Sequence, residues 1–297
     1  MRVLPGEALK RRYEHILVPL DGSEVANVAL RTANVLAADF GATVHTLSVA
    51  STASDLDRLR DTAANALGVH QADERVRAIE GDDPARAIND RADELGSCLV
   101  CMTTHGHGRV VGSFVGSVTR SVIRGHPRPL VVVGRLADRK DYFEQTWPEP
   151  LATRHIVACV DDTVAADAAV MVAAEWADAL AMSLTILTVS VPPISLSGDE
   201  RSDDLYSSLQ RLRDLLVDRS LDVRTHVQSD PLGAAAGVST YLAANPAGLL
   251  VLSTHARSGL SRLVGGATAT SIVAASRVAT VVVPGLGDAA GPFSSPT

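Results

Sequence analysis

The glycines at 106, 108, 112 and 116 stand between two apolar patterns. Before them, Ser97-Cys98-Leu99-Val100-Cys101 reads as a buried strand. After them, Val118-Thr119-Arg120-Ser121-Val122-Ile123 has the apolar spacing of a helix. A glycine-rich loop in that place suits anion binding: glycine reaches positive φ at low cost, so backbone amides can converge on one point. The N-terminus of the following helix adds partial positive charge. A surface loop whose glycines only make turns would look the same in a single copy. The chain holds a second copy. Leu249-Leu250-Val251-Leu252-Ser253-Thr254-His255 repeats the strand and the Thr104-His105 pair, and Gly266 repeats Gly116. The chain is a duplication.

Other chemistry is weaker. No P-loop pattern G-x-x-x-x-G-K-[ST] occurs, the nine histidines lack ligand spacing, and no nucleophile and base are paired in sequence. Slow hydrolysis is the most that is expected of the site, and no base is assigned to it. Cys98 and Cys101 form a C-x-x-C spacing. On a strand, residues three apart face opposite sides, which rules out both a redox pair and a pair of zinc ligands. Gly106-His107-Gly108-Arg109-Val110-Val111-Gly112 imitates a dinucleotide fingerprint and keeps an NADP-dependent oxidoreductase as an alternative. That fingerprint belongs after a first strand and is answered by an acidic residue about 20 positions later, whereas here it follows a fourth. A ligand-free dimerisation scaffold is the other alternative.

The elements that would position the loop repeat as a set. His15-Ile16-Leu17-Val18-Pro19-Leu20 reads as strand one, Asp21-Gly22-Ser23 as its exit turn with Ser23 capping a helix over 24–39, and 42–49 as strand two. A helix over 54–67, a third strand over 75–79, and a helix with Asp83 as N-cap and Pro84 at its first position lead to the glycine loop. A strand over 129–134 closes the unit. The segment 1–12 reads as a polar start. His155 to Thr163 then matches His15 to Ser23, and Ser183 to Val189 matches strand two; Asp161 and Val189 lie 140 positions after Asp21 and Val49. Ser229-Asp230-Pro231 reads as the counterpart of Asp82-Asp83-Pro84, and 278–284 as the last strand. Alternating strands and helices imply an α/β fold of two tandem open parallel-sheet domains, 1–145 and 146–297, with right-handed crossovers. Ligands of such sheets bind beyond the carboxyl ends of strands where the strand order reverses. Asp21 and the loop would share that crevice if strands one and four are neighbours.

Composition agrees. With 297 residues, two cores of ordinary size are expected, and 46% hydrophobic residues fit strands covered on both faces. A formal net charge of −7 argues against a nucleic-acid surface. No apolar run is long enough for a membrane span, and no leader-like segment opens the chain. Three cysteines suit a reducing compartment, so a cytoplasmic location is expected.

These residues resemble the universal stress protein family over nearly the whole chain. Its nucleotide-binding members carry G-x-x-G-x9-G-[ST] after strand four, which falls here on Thr103, Gly106, Gly116 and Ser117, with threonine for the first glycine. The resemblance implies a five-stranded, Rossmann-like sheet in each half, an ATP site at the crossover of strands one and four, and association through strand five. It places Pro19, Leu20 and Asp21 at adenosine, the Val49 backbone at the base, and Met102, Thr103 and Gly106 at ribose and phosphates. The amides of Gly116, Ser117 and Val118 and the Ser117 hydroxyl would hold phosphate, with magnesium carried on the phosphate oxygens and water. In the second half Asp161, Val189 and Gly266 remain, but Ser253, Ala256 and Ala267 replace motif residues. That half is expected to bind weakly or not at all. Pairing of the two halves and a homodimer are the expected associations.

Overall fold

Successive side chains of a strand face opposite sides of a sheet, and here each side is apolar. Ile16 and Val18 enter one core while Leu17 enters the other; Cys101 lies in the first and Cys98 in the second. That double burial explains why the strands read as continuous apolar runs. A computed structural model describes residues 5–105, 115–134, 151–161, 165–191, 199–254 and 267–284.

In the first half β1 (His15–Pro19), β2 (Thr43–Ala50), β3 (Val76–Glu80), β4 (Cys98–Thr103) and β5 (Leu130–Val133) alternate with helices. α1 (Pro5–Arg12) precedes them, followed by α2 (Ala26–Phe40), α3 (Ala53–Leu67), α4 (Pro84–Leu95) and α5 (Ser117–Gly125). The second half repeats the set with strands β6 (His155–Val160), β7 (Ser183–Ser190), β8 (Val223–Ser229), β9 (Leu249–Thr254) and β10 (Ala279–Pro284). Its helices are α6 (Ala165–Leu180), α7 (Asp199–Asp214), α8 (Ala234–Ala244) and α9 (Ala267–Ala275). One ten-stranded sheet results, in the order β3-β2-β1-β4-β5-β10-β9-β6-β7-β8. Its pairings are parallel except at the centre, where β5 and β10 run antiparallel with Val131 opposite Val281.

The seam has further support. Tyr13, Phe40 and Trp176 bring three rings from the two halves together, with centroids 5.3 to 5.9 Å apart. Arg12 also reaches Glu175 at 2.8 Å. Gly134, just past β5, lies so close to α9 that an added Cβ would fall 2.5 Å from the Val273 carbonyl oxygen.

Two sequence expectations need correction. The segment before Tyr13 holds a helix, and its Leu9 is buried together with Tyr13 itself; the pattern is too short and too basic to signal this. Pro231 does not open α8. In the sheet Ser190 pairs with Ser229 as Ala50 pairs with Glu80, and Asp230 N–H bonds Ser190 as Gly81 N–H bonds Ala50. Asp230 thus takes the place of Gly81, and the helix starts later, capped at Gly233. Asp83 does cap α4, accepting from the Arg86 amide at 3.0 Å, with Pro84 in the first turn. The linker over 136–150, the loops holding Gly106 and Gly266, and the tail from 285 lie outside the described residues.

Candidate functional site

β1 ends in Pro19, and Leu20 and Asp21 turn away from the sheet toward α2. The turn is held by Asp21, whose Oδ1 accepts from the Ser23 amide at 3.0 Å and from the Ser23 hydroxyl at 2.6 Å. Ser23 in turn accepts from the Ala26 amide at 3.2 Å in the turn before α2, whose N-cap is Val25 and not Ser23 as its position suggests. β4 lies directly beside β1, with Ile16 opposite Leu99, and the chain leaves β1 for β2 on the other side. This is the reversal point at which open α/β sheets bind ligands.

A cavity of about 160 Å³ opens there. Pro19, Leu20, Asp21, Val49, Met102, Thr103 and Val118 line it, all of them singled out in the sequence. Ala26, Leu47, Pro84, Ile88, His105 and Thr119 complete the described wall and were not assigned to a site. Pro84 carried the available signal, because the N-terminus of a helix after strand three must lie near the same sheet edge. The wall is mostly apolar, with polar groups at the rim, as small-molecule sites commonly are.

The glycine-loop side is ordered by hydroxyls. Thr103 Oγ1 donates to the His105 carbonyl at 2.8 Å, and Thr119 Oγ1 donates to the Thr103 carbonyl at 2.9 Å. Threonine at the first glycine position of the motif therefore has a structural use. The Gly116 amide donates to the Thr104 carbonyl at 2.7 Å. The α5 ladder begins with the Arg120 amide bonding Gly116, so the amides of Ser117, Val118 and Thr119 precede the intrahelical bonds. No acidic residue stands in that first turn to offset its partial positive charge. Gly106 lies outside the described residues.

The second half is not a copy of this site. Asp161 is exposed at the end of β6 and Val189 is half-buried on β7. The α8 backbone at Gly237 lies so close to Val189 that an added Cβ would fall 2.5 Å from Val189 Cγ1 and 3.2 Å from the Asp230 Cβ. In the first half the helix residues beside Val49 are Pro84 and Ile88, which line the cavity with it. Gly266 lies outside the described residues.

Elsewhere the described residues show no group of three or more His, Cys, Asp or Glu that could hold a metal, and no helix long and apolar enough to cross a membrane. All three cysteines are free. Burial pushes the Cys98 and Cys159 thiols up to about 12 and raises that of Cys101, which makes them poor nucleophiles.

Among curated proteins none matches the chain. A universal stress protein of Archaeoglobus fulgidus DSM 4304 is similar to it at 18% identity and a TM-score of 0.63, covering 94% of this chain and 100% of that one. A Pseudomonas aeruginosa UCBPP-PA14 protein assigned to the same family is similar at 16% identity and a TM-score of 0.63, covering 94% and 95%. At such identities the likeness speaks for the fold alone. The sequence profile described as "Universal stress protein family" matches residues 12–134 and again 152–284. Two matches that together span most of the chain, on a sheet whose reversal point carries the expected cavity, show that it belongs to the universal stress protein family.

Proposed function

We propose that the protein is a regulatory, stress-response nucleotide binder that takes ATP, with magnesium on its phosphates, in the first half. The observation that carries this reading is the cavity at the β1/β4 reversal, bounded by Asp21 at one end and the N-terminus of α5 at the other. An adenosine would lie over Val49, Leu47 and Ile88. A carboxylate offers about four lone-pair sites, so Asp21 can accept from the ribose or adenine while it holds Ser23. The triphosphate would lie against the Ser117 and Val118 amides and the Ser117 hydroxyl, where a helix N-terminus favours negative charge. No residue is assigned as a base, and hydrolysis is expected to be slow at most.

Calorimetry with ATP and magnesium tests the site. Asp21→Ala removes a charged hydrogen-bond acceptor, an interaction of about 1.5–3 kcal/mol, and is expected to weaken binding about tenfold or more. At Gly116 an added Cβ lies 3.1 Å from the Thr104 carbonyl oxygen, so Gly116→Val is expected to displace the start of α5 and weaken binding as well. Wild-type affinity in both folded variants would remove the site. A ligand-free structural role fits the second half better, because Ser253, Ala256 and Ala267 replace motif residues there.

A further inference from the structure

A larger cavity, about 520 Å³, lies at the opposite end of the second-half strands. It is a groove at the amino ends of β6, β7 and β8, walled by α8, and its lining includes His155, Thr185, Arg224, His226, Tyr241 and Asn245. The first half shows why it exists. There Glu94 fills the same place, bonded to Arg77 at 2.6 Å and to Arg91 at 3.0 Å. His226 stands in the sheet where Arg77 does, opposite Leu187 as Arg77 is opposite Leu47. Counted back from the equivalent strand residues Leu99 and Leu249, Ala244 replaces Glu94 and Tyr241 replaces Arg91. The groove thus lacks the Glu94 carboxylate and the two guanidiniums that hold it; none of the residues lining it is acidic, and Arg224 is the arginine among them.

What remains is organised. His155 donates from Nδ1 to the Pro246 carbonyl at 3.2 Å, which leaves Nε2 to accept from the Thr185 hydroxyl at 2.9 Å, so its ring is fixed as part of the floor. His226 lies against the Tyr241 ring at 4.8 Å. Arg224 bonds Asp222 at 3.2 Å, but both side chains are largely exposed, and such pairs hold a guanidinium weakly. We propose that this groove is a second binding site, for a small organic anion whose phosphate or carboxylate group takes the place of the lost Glu94 side chain beside Arg224 and His226. Its volume is within the range of small-molecule sites, and guanidinium forks suit both oxyanions. It stands at the amino ends of the strands, apart from the nucleotide crevice, and does not depend on that reading.

The test uses the full chain and follows the imidazole C–H proton resonances by NMR, with His226→Gln to assign the His226 signal. Glucose 6-phosphate, citrate and uncharged glucose are the probes. The expected result is a saturable shift of the His226 signal with either anion, absent with glucose. Whichever anion binds more tightly identifies the class, phosphate ester or carboxylate. Ala244→Glu restores the first-half plug and should weaken the response at least tenfold. Arg224→Ala, at an exposed position, should do the same should the first variant fold poorly. No shift with either anion, an equal shift with glucose, or full binding in a folded Ala244→Glu protein would each overturn the proposal.

Discussion

Asp21 and Gly116 were chosen in the sequence for their chemistry, and both prove to have structural work as well. Asp21 holds its own turn through Ser23, and Gly116 gives its amide to Thr104. Residue type and spacing located the site but could not apportion amides, because that depends on how the chain folds back between β4 and α5. Two histidines show a different consequence of burial. His126 is buried, with Nδ1 3.0 Å from Asn89 Oδ1, and burial, then Arg128, pushes its pKa down to about 4 against the opposing pull of Asp93. Burial does the same to His45, also to about 4, aided by His15, Arg91 and Arg75 and opposed by Asp73. Both are neutral in the folded protein at a pH where the unfolded chain begins to bind protons. Stability is therefore expected to be full above about 6.5 and to fall as pH drops toward about 4. Urea midpoints at pH 7 and pH 5 measure this. The fall should be smaller in His126→Gln, and an equal fall in both proteins would show that His126 is not a source.

At the level of elements, alternation and apolar runs were readable because parallel strands buried on both faces leave a strong signal. The β1–β4 adjacency was not readable, since it rests on contacts far apart in sequence. The assignment of Pro231 to a helix start failed because the turn after β8 has a different length from the turn after β3, which only the strand register reveals. Ser253, Ala256 and Ala267 also replace motif residues in the second half. The two halves are accordingly expected to differ in affinity. In the full chain, Asp161→Ala should leave ATP binding within about twofold, whereas Asp21→Ala should cost about tenfold. Equal losses would mean that both crevices bind. Gly237→Ala should destabilise the fold, since its methyl group meets Val189 and the Asp230 Cβ on a packed surface.

Across the whole molecule, the halves are joined by a β-ladder, an aromatic cluster and the ion pairs Arg12–Glu175 and Arg154–Asp39. Trp176 is completely buried between Tyr13 and Phe40. Trp176→Ala is expected to cost about 3–5 kcal/mol in urea unfolding. A loss below about 1 kcal/mol would show that the cluster contributes little. Gly134→Val should push β5 from α9 and expose strand edges that otherwise pair, and exposed edges recruit other chains. Light scattering should then show oligomers that the wild type does not form at the same concentration, and an unchanged mass would count against this role.

The antiparallel seam has a pseudo-twofold axis through Val131 and Val281. Around it, Leu130 opposite Val282 is the counterpart of Thr280 opposite Val132. Two identical subunits joined in this way would carry every substitution twice, so a poorer partner would appear on both sides of the axis at once. In one continuous chain a change is made once, and the unaltered side still holds. Leucine at one position and threonine at its mate is a mismatch that such an arrangement tolerates. The same freedom applies far from the axis, where one copy keeps Glu94 and the other has Ala244: covalent duplication lets each half drift on its own while the joint between them survives.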